Sequence, residues 1–287
     1  MSAPEEEEEA APPPLVRGQS LGRGYHVIRH LARGKALDVY DVWSDQRHAL
    51  CVAKVPRPDR AADRGTRRRL RREARLLLSV AHPHLVRAYE LIERPAPVLV
   101  LESLTGATLG HFIESSSRRL PPIDLVYLGL QLCSAARFLH SLDVLHLDLK
   151  PANIISENGL VKVIDLSVAR PPGRARPGVG TRQYMSPEQA RGGELGPAAD
   201  VWGIGAVLYA AATGHRPFYG LDNETAYPQL EVRAPSVRSL RRLPRQLSVI
   251  VDTCLEPEPL ARPTPAQLFE SLEALAAAAE PAEPASG

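Results

Sequence analysis

The chain has 287 residues, 44% hydrophobic and 24% charged, with a formal net charge of +2. Those values belong to a water-soluble globular protein with room for one large or two small buried cores, and they exclude a collagenous or disulfide-rich scaffold. Three cysteines (Cys51, Cys133, Cys254), none in a CxxC pair, offer neither a disulfide framework nor a zinc site, and are expected to be buried, reduced thiols.

Residues 1–22 are acidic and Pro-rich, carry no apolar signal-peptide core, and are expected to be disordered. From Tyr25 to Leu104, short alternating apolar runs (YHVIRHLA, LDVYDVW, HALCVAKV, LVRAYELI, PVLVLESL) predict an antiparallel sheet. One helix interrupts them over 62–80, with Leu70, Leu76, Leu77 and Leu78 on its apolar face and arginines elsewhere. From Thr108 onward helices dominate, over 125–142, 197–213, 246–255 and 265–278, the last with Thr264 at its N-cap and Pro265 at the first helical position. The run 201–212 is the most apolar, yet too short to span a bilayer. The expected division is a tail (1–22), a small β lobe with one helix (23–104), a larger helical lobe (105–278) and a fraying Ala/Glu/Pro tail (279–287, with the composition changing from 276). A reducing cytoplasm fits these features.

Chemistry concentrates at His146-Leu147-Asp148-Leu149-Lys150-Pro151-Ala152-Asn153. Phosphoryl transfer from ATP needs a cation on the phosphates, oxygen ligands for Mg²⁺ and a carboxylate beside the attacking hydroxyl. Asp148 suits the last role, Lys150 can neutralise a migrating phosphoryl group, and Asn153 can ligate Mg²⁺. An apolar strand, VKVIDLS, then ends at Asp165, a second hard oxygen ligand. Upstream, Lys54 closes the strand ALCVAK and Glu73, nineteen residues on, can hold its ammonium.

In order and spacing these residues, with Ser186-Pro187-Glu188, resemble the signature set of the protein kinase superfamily; GTRQYMSPEQ, DVWGIGAVLYAAATGHRPF and ARPT resemble the bacterial Ser/Thr kinases. The resemblance runs from Tyr25 to Ala278. It implies an α+β, bilobal kinase fold, ATP with Mg²⁺ (or Mn²⁺), protein substrates and transfer to Ser/Thr hydroxyls. By the same resemblance the phosphate loop runs from Leu31 through Gly34 to Val39, and Val52 lies against the adenine. The backbone of Glu102 and Leu104 would contact the adenine, with Leu101 as gatekeeper and Ile155 as the floor. Asp200 would brace the catalytic loop, and Glu188 with Arg262 would form a buried ion pair. His146 reads better as a packed core residue than as a base.

Four departures stand out. Only Gly34 of the phosphate-loop glycines remains, with Ala32 and the bulky Leu37 beside it. Val52 replaces the usual alanine, Leu147 the arginine that ordinarily precedes the catalytic aspartate (here Asp148), and Ser167 the glycine after Asp165-Leu166. That arginine ordinarily binds a phosphate, and residues 168–180 hold no Ser, Thr or Tyr to receive one, which implies a kinase not switched in that way. Thr181 would then be structural. The alternatives are a pseudokinase scaffold and a small-molecule phosphotransferase. Nucleic acid is not an expected partner. The nine arginines of 57–75, set against Glu5–Glu9, suggest either a contact between the two or an acidic partner at that face.

Overall fold

The computed structural model describes residues 12–116, 118–221 and 225–279. It forms two compact units: the first holds the chain up to Val80 together with Arg87–Ser103, the second holds Ala81–Val86 and the chain from Leu104. Segment 81–86 therefore leaves the strand-rich unit in which the sequence reading had placed it. His84 and Val86 instead pair with the backbone of Val163.

In the first unit, β1 (Ser20–Gly22), β2 (Tyr25–Arg33), β3 (Leu37–Ser44), β4 (Ala49–Pro56), β5 (Ala88–Ile92) and β6 (Val98–Glu102) form one sheet, ordered β1-β2-β3-β4-β6-β5. Its strands alternate faces with period two. Val27, Tyr40, Val42, Cys51, Ala53, Val98 and Val100 fill one face. Helix α1 (Arg64–Ser79) packs on β5 and β6, burying Leu70, Ala74 and Leu77. Each of the two leucines contributes roughly 1.5–3 kcal/mol relative to exposure. Asp63 caps the helix by accepting from the N–H groups of Gly65 and Thr66.

Two expectations change here. Leu78 is 43% exposed: although four residues from Ala74, it lies at the margin of the apolar stripe, roughly 80–100° round the helix from Leu70 and Leu77. Residues 12–22, expected to be disordered, are held: β1 joins the sheet edge, Leu21 enters the core, Leu15 N–H donates to Tyr40 Oη, and Arg33 Nη1 donates to the Pro12 carbonyl. The acidic run Glu5–Glu9 lies outside the described residues.

The second unit contains β7 (Ala107–Thr108), α2 (Leu109–Ser115), α3 (Pro122–His140), β8 (Ile154–Glu157), β9 (Leu160–Val163), β10 (Gly173–Ala175), α4 (Pro187–Arg191), β11 (Gly193–Leu195), α5 (Pro197–Thr213), α6 (Arg245–Cys254) and α7 (Pro265–Ala279). Helix α5 is buried from Ala199 to Thr213 against α3, α6 and α7. Gly205 permits this closeness, since a Cβ there would collide with Cys254 Cβ. Thr264 caps α7 reciprocally with Gln267, and the helix runs through Ala276, itself buried, to Ala279 rather than fraying at 276. The three cysteines are free and buried. Among the described residues no helix is long and apolar enough to cross a membrane.

Candidate active site

The expected site residues divide between the two units. In the first, strand register groups them: Val39 lies opposite Lys54, Lys54 opposite Leu99, and Val52 opposite Leu101. Directly opposed residues share a face, so Val39, Val52, Lys54 and Leu101 line the side of the sheet away from the Tyr40 core. Lys54 Nζ donates to Glu73 Oε1 at 2.5 Å, with both side chains nearly excluded from solvent. Glu102 sits at the end of β6, where its Oε1 accepts from Arg87 N–H. Leu31 is 42% exposed on β2.

The loop between β2 and β3 is closed by charge. Arg33 grips Asp38 with two parallel bonds, Nε to Oδ1 at 2.8 Å and Nη2 to Oδ2 at 2.9 Å, and Gly34 N–H donates to the Leu37 carbonyl. Burial pushes the Asp38 carboxyl up, but Arg33 and His30 outweigh it and hold the group below the usual carboxylate range.

In the second unit the turn at 146–153 is built around buried Asp200 of α5. Its Oδ1 accepts from Leu147 N–H at 2.7 Å, and its Oδ2 accepts from His146 N–H at 2.9 Å and pairs with His140 Nε2 at 2.8 Å. Burial alone would raise this carboxyl; the bond from His140 and its charge hold it low. These bonds support Leu147 at φ +64°, a conformation that costs a bulky residue roughly 1–3 kcal/mol. His146 is fully enclosed, its Nδ1 accepts from Asp148 N–H, and burial lowers its pKa, so it is a neutral packing group.

The turn brings together three expected side chains. Asp148 Oδ2 accepts from Lys150 Nζ at 2.9 Å and from Asn153 Nδ2 at 3.0 Å, while Asp148 Oδ1 accepts from no described residue. Lys150 also donates to Thr181 Oγ1 at 2.6 Å. Asn153 Nδ2 donates as well to the Asp148 carbonyl, which commits the amide nitrogen and leaves its oxygen as a donor atom for a cation. The Asn153 carbonyl accepts from Ile164 N–H, tying the turn to Asp165, which stands at φ +72° just past the end of β9. The strand stops at Val163, two residues short of the expected end, because Asp165 takes a left-handed conformation. An amide oxygen and a carboxylate form the hard-oxygen set Mg²⁺ takes beside phosphates, so the residues fit that ion. Ile155 lies on β8 opposite Lys162 and Thr108, and Leu104 opens the second unit.

The segment after Asp165 is fastened by packing and side-chain hydrogen bonds. Leu147, Leu145, Leu195 and Ala199 form an apolar cluster joined by Val168, Ala175 and Val179, where β10 pairs with β11. The Gln189 amide donates to the carbonyls of Leu147 (2.8 Å) and Val179 (2.7 Å), bridging the catalytic turn and this segment. Gly180, at φ +113°, passes so near the Leu147 carbonyl that a Cβ would lie 2.5 Å from it. Arg262 holds Glu188 with bonds of 2.7 and 2.9 Å and donates to the carbonyls of Ala198, Glu256 and Pro257. Sequence reasoning gave no role to Gln189, Asp38 or His140. Gln189 stands inside the quoted SPEQ, but its partners lie far away in the chain.

Residues 25–272 match the family model described as protein kinase domain. The chain is 36% identical over 215 residues to serine/threonine-protein kinase PknB of Mycobacterium leprae, covering 71% of this chain and 33% of that protein. It is 35% identical over 238 residues to the PknB of Mycolicibacterium smegmatis (78% and 36%) and 33% over 234 residues to a probable serine/threonine-protein kinase of Streptomyces coelicolor (76% and 34%). The chain thus spans about a third of the length of these relatives.

Proposed function

The chain belongs to the protein kinase domain family, and on that premise we propose that it transfers the γ-phosphate of ATP to Ser/Thr hydroxyls of proteins. The observation that carries this reading is Asp148, held through Oδ2 by Lys150 and Asn153 with Oδ1 left as an acceptor. Asp148 Oδ1 orients the substrate hydroxyl and takes its proton as the oxygen bonds to the γ-phosphorus and the bond to ADP breaks. Lys150 compensates charge on the migrating group, and Thr181 fixes the lysine. Lys54, backed by Glu73, carries the cation for the nucleotide phosphates. Asn153 and Asp165 would hold Mg²⁺, which neutralises charge developing on those phosphates. Leu31, Gly34, Val39, Val52, Glu102, Leu104 and Ile155 are the nucleotide contacts in this reading, and the reduced, buried thiols suit the cytoplasm.

The same reading makes the enzyme independent of activation-segment phosphorylation, because the Leu147 cluster and Gln189 occupy the role of an arginine–phosphate pair. Phosphatase treatment should leave activity unchanged; loss of activity together with phosphate on Thr181 would refute it. The stapled β2–β3 loop with Leu37 favours a second reading, a pseudokinase scaffold. Purified chain with ATP and Mg²⁺ or Mn²⁺, offered a basic protein and an aminoglycoside, separates the cases: labelled protein supports the kinase, labelled drug a small-molecule phosphotransferase. Nucleotide binding without transfer supports the scaffold.

A further inference from the structure

Helix α1 carries arginines on two sides with different fates. Arg67 donates to the Pro95 carbonyl and Arg71 to Glu93 at 2.7 Å, so these two are spent on the sheet. Gly65, Arg68, Arg69, Arg72 and Arg75 line an exposed shallow groove of about 470 Å³. Among the described residues Arg64, Arg68 and Arg75 have no partner, and Arg69 acts only on the capping Asp63. The first turn holds no acidic residue, Arg64 stands there at the positive end of the helix dipole, and Arg68, Arg72 and Arg75 follow it at helical i+4 and i+3 spacing, an arrangement that repels itself and favours an anion.

The sequence carries an acidic run just before Pro12. Pro12 is tied to Arg33 at the β2–β3 loop, and Arg57 ties that loop to the stretch leading into α1: it donates to the carbonyls of Gly34 and Lys35, and pairs with Asp59. Asp59 also acts on Arg33 itself. From Pro12 the acidic run begins three residues back at Glu9 and ends seven back at Glu5, roughly 10 to 25 Å of extended chain. Five extended residues cover about 17 Å, and Gly65 to Arg75 rise about 15 Å along the helix. Sign, length and point of departure agree. We propose that Glu5–Glu9 dock on the Gly65–Arg68–Arg69–Arg72–Arg75 stripe of α1, making the helix that carries Glu73 an internal binding surface for the chain's own acidic segment. The contact itself does not depend on the chain being a kinase.

A nitroxide on Ser2→Cys in the full chain tests this, since the three native cysteines are buried. At about 0.01 M ionic strength, where the Debye length is about 30 Å, amides of residues 64–76 should lose most of their intensity; at about 1 M, where it is about 3 Å, they should recover. Glu5–Glu9 all changed to Gln should abolish the broadening. Lysines at 5–9 should abolish it too, and should regain it when combined with Arg68→Glu, Arg69→Glu and Arg75→Glu. No broadening of α1, broadening unchanged in the glutamine variant, or failure of the charge swap overturns the proposal. So does broadening seen only when spin-labelled and isotope-labelled molecules are mixed, which would assign the stripe to a second copy.

Discussion

The β2–β3 loop of the first unit and the turn at 146–153 of the second each depart from the sequence pattern they resemble, and each is closed by a different force. Where glycines are missing, a bidentate Arg33–Asp38 pair fixes the hairpin. Where an arginine is missing, Leu147 turns into an apolar cluster and the Gln189 amide spans the gap. Charge stands in for backbone freedom in one place; packing stands in for charge in the other. The two closures should therefore respond to different perturbations, and in the proposed mechanism only the second touches the reacting groups.

The largest effect should follow Asp148→Asn. Loss of the general base should lower turnover about 10²–10⁴-fold while ATP affinity, read by nucleotide titration, stays unchanged. An equal loss of affinity would mean that the two regions do not divide chemistry from binding as described.

Next comes the cluster. Leu147→Arg restores the family's residue but buries a charge among Leu145, Leu195 and Ala199, and should cost about 3 kcal/mol or more in denaturant unfolding, against under about 1.5 kcal/mol for Leu147→Met. Gln189→Ala leaves two carbonyls without their donor and should cost about 1–3 kcal/mol, with faster hydrogen exchange over 173–181. A stable Leu147→Arg protein would show that the segment is not held by packing.

The hairpin should be weaker and sensitive to acid. Asp38 is held below the carboxylate range, so its folded pKa lies under its unfolded value of about 3.9. Its contribution is fully present above that value and is lost as pH falls through the folded pKa. The stability gap between wild type and Asp38→Asn should shrink in that window, while the gap for Leu147→Met should not move. The smallest effects belong to Val52→Ala and Leu37→Gly, each expected to tighten ATP binding a few-fold by widening the adenine contact or loosening the loop. Weaker binding in both would show that the pocket has already adapted.

Local pattern made part of this legible. Lys54, Glu73, Asp148, Lys150 and Asn153 announce themselves because the geometry that joins them is short-range or set by one helix on one sheet. The limits of α5 follow directly from Pro197 and Gly214, which takes the left-handed C-cap. Long-range polar links were not readable: Gln189 meets Leu147 across forty-two positions, and no periodicity encodes that. Residues 12–22 misled through composition. Three prolines and the acidic run Glu5–Glu9 just before them set the composition, yet Leu15 and Leu21 pack on the core and β1 pairs with the sheet edge.

Helix α5 bears on how this chain matures in a cell. Its surface is apolar nearly all round, and the partners that cover it on one side, α6 and α7, are synthesised after it. A nascent chain that has emitted 197–213 but not yet 245–279 displays a sticky cylinder with nothing to lean on. Truncations ending between Thr213 and Arg245 should therefore be chaperone clients or aggregate, whatever the fate of the sheet-bearing half.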